Sequence, residues 1–110
     1  MAFIDDKEHK RHISEGEYEA VLINAAEKES ANGFQYIELI FDIGECFYVT
    51  VVPLAINPTH ILYDIANEII LNGSRYFDVT MMAGRTFIFS VHDTTRNGYT
   101  NSAITEIELK

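Results

Sequence analysis

The stretch "INPTHILYDIANEIILNG", Ile56 to Gly73, decides how the rest of this chain is read. Ile61, Leu62, Ile65, Ile69 and Ile70 recur at spacings of three and four, the period of one face of an α-helix. Pro58 suits a first helical turn, Asn57 an N-cap before it, and Asn72-Gly73 a C-terminal stop. Together they predict a helix over 58–71. The apolar stretches on either side have a different period, and the fold follows from where this one helix falls among them.

Upstream lie three β-like runs. In "FQYIELIFDI", 34–43, Ile37, Leu39, Phe41 and Ile43 share one face, while Phe34, Tyr36, Glu38, Ile40 and Asp42 share the other. That period of two predicts a strand with one face in the core. Before it, "EYEAVLINAAEKE" predicts a long, partly buried strand over about 17–27, and the Asn-Gly of "SANGF" predicts the turn between the two. After it, Gly44-Glu45 makes a tight turn into "CFYVTVV", 46–52, whose β-branched and aromatic residues predict a third strand that Pro53 ends.

Downstream of the helix, "SRYFDVTMMAG" reads as a connection with one short turn around 78–82. "RTFIFSVHD", 85–93, and "GYTNSAITEIEL", 98–109, read as strands four and five, joined by a long hairpin tip within His92–Ile104. Residues 1–15 are polar and mixed in charge, a flexible N-terminal arm before a single domain over 16–110. The order is β-β-β-α-β-β, which makes the chain mostly β and predicts a five-stranded OB-like Greek-key barrel with the helix plugging it. Gly84, at the start of strand four, suits a barrel corner. A small open α+β roll has the same elements and remains the competing architecture.

The totals bound the function. The chain has 110 residues, 47% hydrophobic and 23% charged, with seven Phe and six Tyr, enough for one globular domain. No apolar run approaches the roughly 20 residues that span a bilayer, and "MAFIDDKEHKRHI" has no signal-peptide core, so no membrane role and a cytoplasmic location are expected. Cys46 alone forms no internal disulfide. Seventeen acidic and eight basic residues give a net charge of −9, which argues against a broad nucleic-acid surface. It is compatible with a small local cationic site, with docking to a basic partner, or with imitation of nucleic acid.

The phrases "ISEGEYEAVLINAAEKESANGFQYIELIFDI", 13–43, and "FDVTMMAGRTFIFSVHDTTRNGYTNSAITEI", 77–107, resemble small phage and mobile-element single-stranded-DNA-binding proteins and related phage proteins of unknown function. The shared pattern is a Gly-x-Tyr strand start, an Asn-Gly turn before the second strand, and a late Phe-Asp followed by spaced glycines and alternating apolar residues. The resemblance implies an OB-fold and binding of single-stranded DNA in phage-type replication or recombination, in the bacterial host cytoplasm.

On an OB scaffold the ligand face is strands two and three, flanked by the loops joining strands one–two and four–five. Single strands are held by aromatic stacking and a cationic groove. Alternation puts Phe34 and Tyr36 on the non-core face of strand two and Tyr48 on the same face of strand three. Lys28 falls at the first loop, Arg85 at the base of the last hairpin, and Arg96 and Tyr99 at its tip. Those seven residues are the expected nucleic-acid site. Each aromatic can equally be an ordinary cross-strand partner, and Glu38 and Asp42 share the face and would repel phosphate.

No enzyme is expected. The acids show no metal spacing. His9 and His12, three apart with no cysteine nearby, make no zinc set; His60 reads as a surface residue and Cys46 as a buried small hydrophobe. No phosphate-binding glycine loop is present, and no cofactor is implied. Two other functions stay open: an acidic module that docks a replication or recombination protein, and a decoy that imitates DNA. An exposed edge strand could also pair with a second copy of the chain.

Overall fold

The structure is a computed structural model and describes residues 8–54, 56, 58–71 and 78–110, without the side chains of Ile70, Leu71 and Arg96. The elements in order are β1 (His9–Lys10), β2 (Gly16–Glu29), β3 (Gln35–Asp42), β4 (Phe47–Pro53), α1 (Tyr63–Leu71), a 3-10 turn (Val79–Met82), β5 (Thr86–Arg96) and β6 (Tyr99–Leu109). The strands make one mixed sheet in the order β1-β4-β3-β2-β5-β6, antiparallel throughout except for β1 against β4.

β2 organises the sheet by serving two partners. Its residues 21–29 pair with β3 and its residues 16–21 with β5. A bulge between Leu22 and Asn24 lies where the partner changes, and such an extra residue bends a strand and increases its twist. Gly84 locks this corner: its N–H donates to the Leu22 carbonyl at 2.7 Å, and Leu22 N–H donates to the Arg85 carbonyl at 2.9 Å. Gly84 has φ +89°, where a side chain would be strained.

The core follows the alternation. Ile37, Leu39 and Phe41 of β3, Phe87, Phe89 and Val91 of β5, and Ile65 and Ile69 of α1 form one buried cluster. Phe41 is its hub, 4.4 Å from the Phe89 ring and edge-on to Phe87 at 6.2 Å. Each such fully buried ring contributes about 1.5–3 kcal/mol over leaving it in water.

The helix is shorter than the apolar spacing implies. It begins at Tyr63, and residues 58–62 are turns. The N-cap expected at Asn57 and the Asn72-Gly73 stop lie outside the described residues, and His60 braces the turn before the helix. The His60 ring nitrogen Nδ1 accepts from Leu62 N–H at 3.0 Å, and Nε2 meets the Pro53 carbonyl at 2.8 Å. His60 is therefore half-buried and structural, not a surface residue.

The closed barrel does not form. No ladder joins β4 to β6 among the described residues, and the sheet is open at that seam. The physical reason lies in the segment expected to be a loose arm. Residues 8–13 run into the seam: Phe47 N–H donates to the Glu8 carbonyl at 2.8 Å, and Ser102 N–H to the Arg11 carbonyl at 2.9 Å. The buried Ser102 hydroxyl then grips Ile13 twice, accepting from its N–H at 2.8 Å and donating to its carbonyl at 2.9 Å. His12 pairs with Asp93 at 2.9 Å, and Glu15 accepts from Asp93 N–H at 2.8 Å.

The last hairpin also differs from expectation. Its strands run on to Arg96 and Tyr99, which face each other across a two-residue turn. Asn97 at φ +54° and Gly98 at φ +80° supply the paired positive φ that a tight hairpin turn of the strand-compatible hand requires. The expected long tip is mostly strand.

Candidate nucleic-acid interface

The β2–β3 hairpin places three of the expected residues together. Its turn is closed by Ser30 N–H on the Phe34 carbonyl at 2.8 Å and Gly33 N–H on the Ser30 carbonyl at 2.9 Å. The turn leaves Phe34 61% exposed, just before the strand begins. The Phe34 ring lies near-parallel to Tyr36, centroids 6.2 Å apart and planes at 19°. Lys28 is the direct cross-strand partner of Tyr36. One hairpin mouth thus carries two aromatic faces and an ammonium group.

Two carboxylates share this face, and both are engaged. Glu38, two pairs along the ladder and on the same face, holds Lys28 at 3.3 Å. Asp42 accepts from Gly44 N–H at 3.0 Å. The Lys28–Glu38 pair cancels locally, so the repulsion expected of Glu38 is reduced, and so is the steering expected of Lys28.

Tyr48 is placed elsewhere and its assignment is corrected. It stands directly opposite Phe41 in the ladder, so it points inward with Phe41. It is fully buried, with its ring stacked 6.1 Å from Phe89 and its hydroxyl donating to the Ser102 carbonyl at 2.8 Å. Burial raises its phenol above the ordinary value, opposed by a hydrogen bond with Thr50 and aided by nearby Tyr18. The opposite face of β4 carries Phe47, Val49 and Val51, the partners of Asp42, Ile40 and Glu38, of which Val51 is exposed and Val49 is buried.

At the β5–β6 turn Tyr99 is 73% exposed, the most exposed large apolar side chain among those described, and Arg96 is its cross-strand partner. Arg85 is exposed at the opposite end of β5, beside the Gly84 corner. The seven expected residues therefore resolve into an aromatic hairpin mouth with Lys28, Phe34 and Tyr36, a separate tip with Arg96 and Tyr99, the distant Arg85, and a core residue, Tyr48.

A cleft of about 750 Å³ lies between β4 and the β5–β6 hairpin, roofed by Thr59–Ile61. Arg11 lines it, and none of its described lining residues is acidic, in a chain with 17 Asp and Glu. The sequence offers no sign of Arg11's place, because only the tertiary seating of the arm brings it there. Among the described residues no group of three or more His, Cys, Asp or Glu could hold a metal ion, and no helix is long and apolar enough to cross a membrane. Compared with protein-family models and with curated proteins, the chain matches none.

Proposed function

We propose that this chain binds single-stranded DNA with little sequence preference, in phage-type replication or recombination, on an OB-like scaffold opened at one seam. Five strands in the order β4-β3-β2-β5-β6, with a helix between β4 and β5, are compatible with that scaffold. The observation that carries the proposal is the Phe34–Tyr36 pair. A phenylalanine left 61% exposed forgoes much of the benefit of burial, and its near-parallel neighbour offers a second ring for the next base.

Charge placement supports binding over imitation of DNA. From Thr94 to Thr105 the sequence holds no acid and one arginine, so the hairpin tip is locally free of carboxylate. The register gathers Glu17 and Glu106 on either side of Ser90, and Glu19 and Glu108 on either side of Ile88. Four acids thus cluster on the β2–β5–β6 half, while Glu27, Glu29 and Glu38 stay with Lys28 on the β2–β3 hairpin. That acidic patch is also the observation that favours the second reading, a module docking a basic protein surface. Oligonucleotide titration of the protein and its Phe34→Ala and Tyr36→Ala variants separates the two: loss of binding in folded variants supports the DNA site, and unchanged binding removes it.

A further inference from the structure

Among the described residues the open seam between β4 and β6 is only half filled, and we infer that its other half is a docking slot for an extended polypeptide strand supplied by another protein. This goes beyond DNA binding and uses a different surface. The seam already accepts one such strand, the chain's own residues 8–13, which run parallel to β4 and reach across to Ser102. The ladder with β1 covers only Phe47 and Tyr48. Beyond it lies the cleft, walled by Val49–Pro53 on one side and Asn101–Ile104 on the other.

Backbone direction makes those walls reactive edges. Phe47 N–H points into the seam, because it donates to Glu8. In a strand every second residue sends its backbone groups to the same side, so Val51 presents an N–H and a carbonyl to the cleft. Ser102 N–H likewise points into the seam, toward Arg11, so Ile104 shares its side. Pro53 has no N–H to offer, and its carbonyl is taken by His60, which ends the edge there. Two strand edges facing one gap hold a strand by main-chain hydrogen bonds, the mode of β-augmentation.

The occupant is a peptide strand, because each edge presents both N–H donors and carbonyl acceptors, which an extended backbone matches group for group and a phosphate chain, an acceptor only, does not. Arg11 and the acid-free lining add a place for one carboxylate. The expected ligand is an extended segment bearing a single acidic side chain.

The test uses the full chain, isotope-labelled for NMR, titrated to millimolar concentration with a soluble heptapeptide of alternating threonine and valine ending in glutamate. Saturable shifts at the Val51 and Ile104 amides are expected. Val51→Pro removes the outward N–H without touching the bonds to β3, and should weaken binding by about tenfold. Arg11→Gln, which leaves both edges intact, should weaken it less and remove the preference for the terminal glutamate. Absence of shifts at millimolar peptide overturns the inference. So does saturation that is the same in the folded Val51→Pro and Arg11→Gln variants. A thymidine oligonucleotide that shifts the same amides and displaces the peptide would assign the slot to nucleic acid instead.

Discussion

The Tyr48 hydroxyl donates to the Ser102 carbonyl at 2.8 Å, across the seam where the sheet fails to close. Within the described residues this buried bond and the Ser102–Ile13 pair tie β4, β6 and the N-terminal segment into one knot. Tyr48→Phe keeps the ring stacked on Phe89 and removes only the hydroxyl. It should destabilise the fold by about 1 kcal/mol, read by urea denaturation, and leave oligonucleotide binding unchanged.

Ser102→Ala removes both bonds to Ile13 and leaves two buried backbone groups without their partner. A loss of about 2 kcal/mol is expected. Hydrogen exchange should accelerate first at residues 9–13, whose other described ties are the short ladder with β4, the two edge bonds, the His9–Phe47 ring contact, the buried Ile13 side chain and the exposed His12–Asp93 pair. Uniform acceleration across the whole sheet would instead mean that the segment and the core open together.

Alkaline stability should turn on the buried phenol. Tyr48 is raised above its ordinary value chiefly by burial, and Tyr18 is raised by burial and by Glu45 and Cys46. Below about pH 10 both phenols are neutral in folded and unfolded chains, and their contribution is complete. Above it the unfolded chain ionises first, so stability falls as pH rises toward the folded-state values. Thermal unfolding followed from about pH 9 to about pH 11 should show a shallower decline in Tyr48→Phe than in the parent.

Glu38→Gln should strengthen oligonucleotide binding. It removes a carboxylate from the aromatic face and releases Lys28 from its 3.3 Å partner. A gain of about threefold to tenfold is expected at low salt, with a steeper salt dependence as one more cation reaches phosphate. Weaker binding in this variant would show that the pair orients Lys28 usefully as it stands.

Much of the sheet was legible because β3 and β5 alternate cleanly, and Phe41, Phe87 and Phe89 announced the core. Tyr48 was misplaced for a definite reason. The turn Ile43–Cys46 separates two alternating runs, and its closure, with Ile43 N–H on the Cys46 carbonyl, fixes whether even or odd residues of β4 face inward. One residue more or less in that turn would have put Tyr48 outside, and sequence does not count it. The exposed Phe34 and half-buried Tyr36 were legible because they lie beside an Asn-Gly turn in an unbroken period of two. Asn97-Gly98 carried the same turn signal, and giving it the same weight would have extended the last two strands. Arg11 and the half-filled seam were not legible, because a polar segment with one apolar residue, Ile13, carries no pattern that names its neighbours.

The most direct test of the central proposal is fluorescence anisotropy of a labelled poly-thymidine oligonucleotide, titrated with the protein at two salt concentrations and repeated with Tyr36→Ala. Saturable binding that weakens with salt, and a further loss of about 1–3 kcal/mol in the folded variant, is the predicted result. No binding at low salt by a folded protein, or equal binding by parent and variant, would contradict it.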